Sequence, residues 1–516
     1  MQFMGLETTI DYNKRGSERA QHGDYSGALA DFNRAIILNP TDALAYHNRG
    51  IVHRNITHYQ NALFDFDTAI ALQQDYLSAY YQRGITHFLL KGYIQAIQDF
   101  STVLASNPRD VPALLGRAMV YFEMQAYEQA IIHLDLAISA DPTLAGRLGA
   151  YNSRGQAYAM LRQFSAAIRD FDYALMLDPT NIVLLNRRGA AYTDNKQPEK
   201  ALSSYNRAIE LSPSSAFTYN NRGEAYRLLK LYREAIEDFD RAIALDPTQA
   251  ILYYNRALAY VGLKQTKQAI ADYTKALSLS PTLHMVYKDR ALAYKALKLY
   301  REAEEDLSVV LSHDEDDVQA LFERGSLYLL LKDPYAALAD FNRLIELEPD
   351  FACAYNKRGE AYLLLGDLQR ADADCQRGWQ LDDTHVEHGW KVQWLAMCQT
   401  QPDAAMPTRL EQIASTDTAD YYAYLCRAVA LYLRGEYQQA LLELDEAQRL
   451  CDEGWDAHFW SGLILAMSGR DTEAIATLRQ ALALGMPPLL QAPLRWLSEM
   501  HPDFYRTHAL PLLMAQ

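Results

Sequence analysis

Cysteine is scarce in this chain. Five of 516 residues, Cys353, Cys375, Cys398, Cys426 and Cys451, all fall in the last third, and no Cys-x-x-Cys occurs. An odd count without paired spacing argues against a disulfide framework and for free thiols in a reducing compartment. Positive charge is also short: 49 Lys and Arg face 65 Asp and Glu, a formal net charge of −16. Phosphate backbones call for a basic surface, so no nucleic acid is expected as a partner. No apolar run approaches the roughly 20 residues that span a bilayer. The start, "MQFMGLETTIDYNKRG", lacks the basic-then-apolar pattern of a secretory leader. Gly-rich phosphate loops, His-Glu-x-x-His and nucleophile elbows are missing too. Gly and Pro are few, 24 and 18, while Ala, Leu, Arg, Glu and Gln dominate, which favours helix. The expectation is a soluble, cytoplasmic, helical chain with no membrane segment, no metal and no cofactor.

What is present is one phrase, repeated. Pro40, Pro108, Pro142, Pro179, Pro213, Pro247, Pro281 and Pro349 fall in register at a period of 34, with one step of 37 between Pro142 and Pro179. A three-residue insertion near 145–147 accounts for that step, and eleven units then tile residues 9–385. The stretch "YNNRGEAYRLLKLYREAIEDFDRAIALDPTQ", Tyr219 to Gln249, shows the grammar. Its small residues, Gly223 and Ala235, mark the eighth and twentieth positions of the unit, and position twenty is Ala in all eleven units. Large residues mark the fourth, eleventh and twenty-fourth, here Tyr219, Tyr226 and Phe239.

Spacing turns this grammar into structure. Positions 4, 8 and 11 share one helix face, and so do positions 20, 24 and 27. Each unit therefore reads as two amphipathic helices of about 13 residues, roughly 20 Å long. Small residues let the two axes approach. Pro at position 32 ends the second helix, and "DPT" at Asp141, Asp178 and Asp246 reads as the turn into the next unit. One pair cannot bury its apolar face alone, but stacked pairs can, so the chain reads as an all-α solenoid.

This pattern resembles the tetratricopeptide repeat family over about three quarters of the chain. The resemblance implies antiparallel helix pairs in a right-handed superhelix whose first helices line a concave groove. The family's usual Leu before the Gly is Arg here in all eleven units, from Arg15 to Arg358. Position 23 is usually acidic, from Asp31 to Asp374, so a repeated Arg–Asp brace between the paired helices is expected rather than an anion-binding row. Beyond the regular units, 386–420 reads as a degenerate helical unit, 421–488 as two further repeats, and 489–516 as capping helices; residues 1–8 form an N-terminal extension. All six tryptophans lie between Trp379 and Trp496, as irregular packing or a second interaction surface.

Function is expected at the groove positions. Asn13, Asn152, Asn186, Asn220 and Asn356 stand at position 5, and Asn48, Asn221 and Asn255 at position 6. An amide both donates and accepts, so such a row can bond the backbone of an extended peptide. It is similar to the asparagine row in the repeats of the O-linked N-acetylglucosamine transferases, whose catalytic domain has no counterpart here. The carboxylate-clamp proteins that hold chaperone tails offer another likeness, represented only by fragments such as Arg187 with Asn221. Tyr81, Phe88, Phe122, Phe217 and Tyr254 could supply pockets on the same face. The His385-x-x-His388 pair, near Cys375 and Cys398, reads as ordinary histidines, and "SHDEDDVQ" from Ser312 as a turn capping the next helix through Asp316 or Asp317. The expected role is a non-enzymatic scaffold or adaptor that binds a partner protein. The alternatives are a regulatory receptor for a short peptide and a module with chemistry in its C-terminal part.

Overall fold

A computed structural model describes residues 8–147, 149–399, 402–486, 498 and 501–511. Those residues are helical throughout, with no strand among them. They divide into two compact units, Met1–Leu263 and Lys264–Gln516, and the division falls inside one sequence repeat. In the first unit the helices come as antiparallel pairs, such as Thr9–Gln21 with Tyr25–Leu38 and Ala216–Leu228 with Tyr232–Leu245, ending in Ala250–Gly262. The second unit starts with Thr266–Leu279 and continues in pairs from His284–Ala296 with Tyr300–His313 to Trp455–Met467 with Asp471–Ala483.

Local chemistry explains the boundaries. Most first helices have 13 residues and most second helices 14. First helices commonly open on a side-chain cap: Asp110, Asn181, Ser215 and Asp317 each accept from a backbone N–H of the first turn. Asp317 is thus the cap within the acidic run, while Asp316 pairs with Arg343. Second helices stop two residues before the late proline. Asn39, Asn107 and Asp246 sit extended in front of it, because a proline ring crowds the α conformation of the residue before it. In the turn that follows, Asp246 Oδ1 accepts from the Thr248 amide at 3.1 Å and its hydroxyl at 2.7 Å.

The turn inside each pair carries a signal absent from the sequence reading. Its central residue is left-handed: Thr57, Lys91, Gln125, Arg162, Lys196, Lys230, Lys298 and Lys332 all have φ between 55° and 63°. Gly23, Gly366, Gly435 and Gly469 occupy the same place, at φ 72–83°. The side-chain-bearing residues hold a conformation that only Gly adopts freely.

Packing inside a pair is a fit of a missing Cβ to a ring. A Cβ on Gly223 would lie 2.7 Å from Phe239 Cε1, and one on Gly16 2.8 Å from Phe32 Cε1. The position-20 alanines, such as Ala28, Ala130 and Ala235, are fully buried beside them. In two repeats where position 8 is Ala, the residue at position 24 is Leu rather than an aromatic: Ala118 with Leu134, and Ala291 with Leu307.

One stretch departs from the expected turn. Pro142 starts a six-residue helix, Pro142–Arg147, instead of a plain turn, and the following first helix begins late, at Ala150. A proline suits a helix start because its missing N–H would be unpaired there anyway. The tryptophans are mostly core: Trp390, Trp394 and Trp460 are buried, with Trp394 and Trp460 ring centroids 5.6 Å apart, and Trp379 and Trp455 pack against them. Of the expected N-terminal extension only Thr8 is described, and it caps the first helix in a reciprocal box with Asp11. Of the expected capping helices only Ser498 and residues 501–511 are described; Phe504 there is buried in the tryptophan cluster. Trp496 lies outside the described residues.

Candidate functional site

The recurring arginines form an internal brace. Arg222 donates from Nε and Nη2 to the two oxygens of Asp238, both at 2.7 Å, and from Nη1 to Asn206 Oδ1 of the preceding second helix at 2.7 Å. Arg49, Arg83, Arg154, Arg290, Arg324 and Arg358 repeat this double reach. Each guanidinium also lies over a tyrosine, as Arg222 does over Tyr219 at 5.6 Å. The matching aspartates are buried. These cations are spent on the fold, as the Arg–Asp spacing implied.

Two pairs lack that aspartate: in Ile182–Asp194 with Pro198–Leu211, Ser204 takes its place and accepts from Arg188 Nε at 3.0 Å, and the other is Val111–Glu123 with Tyr127–Ala140. Here His133 replaces the aspartate. Arg117 Nη2 lies 3.2 Å from His133 Nδ1, and Arg117 Nε is buried without a partner. Burial, and then the Arg117 charge, push the His133 pKa down to about 4.

The eight asparagines separate into two environments. Asn13, Asn186 and Asn356 are only 6%, 6% and 2% exposed. Asn13 donates at 2.7 Å to Asp42, the N-cap of the next first helix, and Asn186 at 3.0 Å to Thr218 Oγ1 within the next first helix, so these two amides tie neighbouring first helices. Asn48, Asn152, Asn220, Asn221 and Asn255 are half-buried. Asn255 donates to Asn220 Oδ1 at 2.8 Å, and Asn152 Oδ1 accepts from Arg187 at 2.7 Å. Asn48 meets its neighbour His47 at 3.3 Å, and Asn221 accepts from Asn220 at 3.5 Å.

Aliphatic and aromatic side chains flank the half-buried amides. Val183, Phe217 and Ile251, each at position 2 of successive first helices, are 56%, 64% and 41% exposed. The sequence reading named Phe217 alone; the signal for the others was a second position that is large and apolar at Ile10, Leu44, Val183, Phe217, Ile251 and Met285. Of the other aromatics named there, Tyr254 is buried and Tyr81 half-buried. Phe88 and Phe122 line a small cavity of about 200 Å³ with Leu115, Met119 and Leu134. A larger one of about 550 Å³ lies beside Asn152 and Arg187.

In the second unit the corresponding face is charged. Lys391 Nζ binds Glu387 at 2.5 Å and also Glu360, which Lys357 meets at 2.9 Å. Burial raises the Glu360 carboxyl, but Lys357 and Lys391 outweigh it and hold it at about 2. His388 is buried with Nδ1 3.2 Å from the Asp382 carbonyl, and His385 is exposed. Among the described residues no three His, Cys, Asp or Glu side chains gather as a metal site, and no helix is long and apolar enough to cross a membrane.

Models described as tetratricopeptide repeat match residues 81–145, 149–181, 182–215, 216–249, 250–283, 288–350, 333–378 and 427–487, and one described as TPR repeat matches 16–55. Among solved structures, the MamA protein is 30% identical, over 33% of this chain and 92% of its own, with a TM-score of 0.30. A tetratricopeptide repeat protein from Parabacteroides merdae is 19% identical over 49% of this chain and 98% of its own, at 0.37. The APC/C hetero-tetramer Cut9-Hcn1 matches at 16% identity over 83% of this chain and 97% of that one, at 0.38. No curated protein matches the chain.

Proposed function

The chain belongs to the tetratricopeptide repeat family, and from that premise we propose that it is a non-enzymatic scaffold holding an extended segment of a partner protein along its first helices. The observation that carries this is the row Val183, Phe217 and Ile251, exposed at one register position on three successive first helices beside Asn220, Asn221 and Asn255. Packed helices stand about 8–10 Å apart. A polyproline II chain rises about 3.1 Å per residue and returns to the same face every third residue, about 9 Å on, so every third residue of a partner meets the next rung. Apolar side chains at that spacing would cover the row, and the amides would satisfy the backbone between them.

The test is a peptide array probed with the full chain, with Phe217→Ser and Asn221→Ala introduced together. Peptides with apolar residues every third position are expected to bind, and the double variant to bind them at least about tenfold more weakly at an unchanged melting temperature. Equal binding by the variant sinks the assignment to these rungs. A second reading, a receptor for a short peptide, rests on the cavity at Phe88, Met119 and Phe122, which suits one anchoring apolar side chain. Tight binding of free peptides of five or six residues, dependent on Phe122, would favour it.

A further inference from the structure

Second helices turn a stripe to solvent at positions 18, 22, 26 and 29 of the repeat, one face at helical spacing. Late in the first unit that stripe is charged, as an exposed helix face usually is: in Pro198–Leu211 and Tyr232–Leu245 six of its eight residues are Arg or Glu. In Tyr59–Leu72, Tyr93–Ser106 and Tyr127–Ala140 one of twelve is ionisable, Glu128. These three helices contain no Lys or Arg at all. In place of charge stand Phe64, Ile94, Ile132 and Leu136, which are 65%, 68%, 47% and 48% exposed.

The three helices are also tied to one another. Arg83 bonds Asp67 of the first and Asp99 of the second, each at 2.6 Å. Arg117 lies 3.2 Å from Ser101 Oγ of the second and 3.2 Å from His133 Nδ1 of the third. The carboxylates at the edge of the stripe, Asp67 and Asp135, are held by Arg83 and Arg154. An exposed apolar face marks an interface, and one already braced needs little ordering on docking. A nucleic acid or an anionic lipid surface would select cations, which these helices lack.

We propose that this face docks on the same face of a second copy of the chain, about a two-fold axis. Apolar and uncharged, it is complementary to itself, and interfaces between copies are the more apolar class. Its size fits as well. Helices of 14 residues are about 21 Å long, and three of them about 10 Å apart cover roughly 600 Å² on each copy. Two copies then bury about 1,200 Å², where stable interfaces begin. Ile37 and Met176, 66% and 76% exposed on the flanking second helices Tyr25–Leu38 and Phe164–Leu177, extend the face on either side. The proposal goes beyond the binding of a partner along the first helices and does not depend on it.

Sedimentation velocity on the full chain, over about 1–100 μM, tests it. The mass is expected to rise from one chain to two across that range. Added salt screens the repulsion between two chains of net charge −16 and should tighten the dimer rather than disperse it. Phe64→Ser, Ile94→Ser and Ile132→Ser together should weaken it at least about tenfold at an unchanged melting temperature, because all three side chains are exposed. Arg207→Ser, on the charged stripe, should leave it as it was. A one-chain mass at every concentration, a mass that climbs past two chains, a dimer dispersed by salt, or a dimer that the three serines leave undiminished overturns the proposal. So does an equal loss in Arg207→Ser. The wild-type series needs no variant to fold. The peptide array reads the first helices, so the two readings fail separately.

Discussion

The pair with His133 in place of aspartate is a natural experiment on the brace. His133 is 7% exposed and its Nδ1 faces an Arg117 N–H at 3.2 Å, so only the neutral ring fits; a proton on Nδ1 would set two donors against each other. Its folded pKa of about 4 lies below the ordinary 6.5. Between these values the unfolded chain binds the proton and the folded chain does not. Stability is therefore complete above pH 6.5 and is lost as pH falls toward 4. The loss works out at about 2 kcal/mol at pH 5, with a ceiling of about 3 kcal/mol. His133→Asp replaces this with the Arg–Asp geometry of the neighbouring pairs and supplies an acceptor for the orphaned Arg117 Nε. At pH 7.5 the variant is expected to gain about 1 kcal/mol, charge-assisted bonds set against desolvation. Between pH 6.5 and 5 it should lack the wild-type decline. The assay is amide hydrogen exchange in Val111–Glu123 and Tyr127–Ala140, corrected for intrinsic rate, because a repeat array opens locally rather than all at once. His47, His53 and His87 also have lowered pKa values, but they act equally in both proteins and cancel in the difference. The same decline in the variant as in the wild type refutes the reasoning, and so does a wild type flat from pH 6.5 to 5.

Two further predictions concern the brick itself. Gly223→Ala drives a methyl into Phe239 and should cost about 1–3 kcal/mol of local protection. Adding Phe239→Leu should restore most of it, as the Ala118–Leu134 pair does naturally; a double variant no better than the single would show that volume is not what matters. Lys230→Gly relieves a side chain held at φ 60° and should raise the denaturant midpoint by the equivalent of about 0.5–1 kcal/mol, less what the freer unfolded chain takes back. A lowered midpoint would contradict the strain assigned to that turn.

Helix pairing, the buried alanines and the Arg–Asp brace were legible in the sequence because they join residues at fixed separations. Arg222 and Asp238 are sixteen apart in the chain, and so are their equivalents in other repeats. Repetition shows such a contact many times over, and a period is enough to find it. The left-handed turn residue was in principle as legible, since Gly23 and Gly366 mark its place, but lysine at most other repeats hid a backbone requirement behind a side chain with no packing role.

What composition and period could not decide is which polar groups the stacking uses up. Asn13 and Asn221 look equivalent as letters on one helix face, yet one is bonded to the cap of the next first helix and the other meets only its neighbour in the chain. Three extra residues near 145 read as a gap in an alignment. Only the packed helices turn that gap into a cavity and leave Arg187 bonded to the Asn152 amide rather than to a carboxylate. The chain's own sequence determined the repeated brick, because contacts within a brick are set by local spacing. Tertiary structure alone decided which side chains remain free to meet a partner, because that depends on what each neighbouring brick has already claimed.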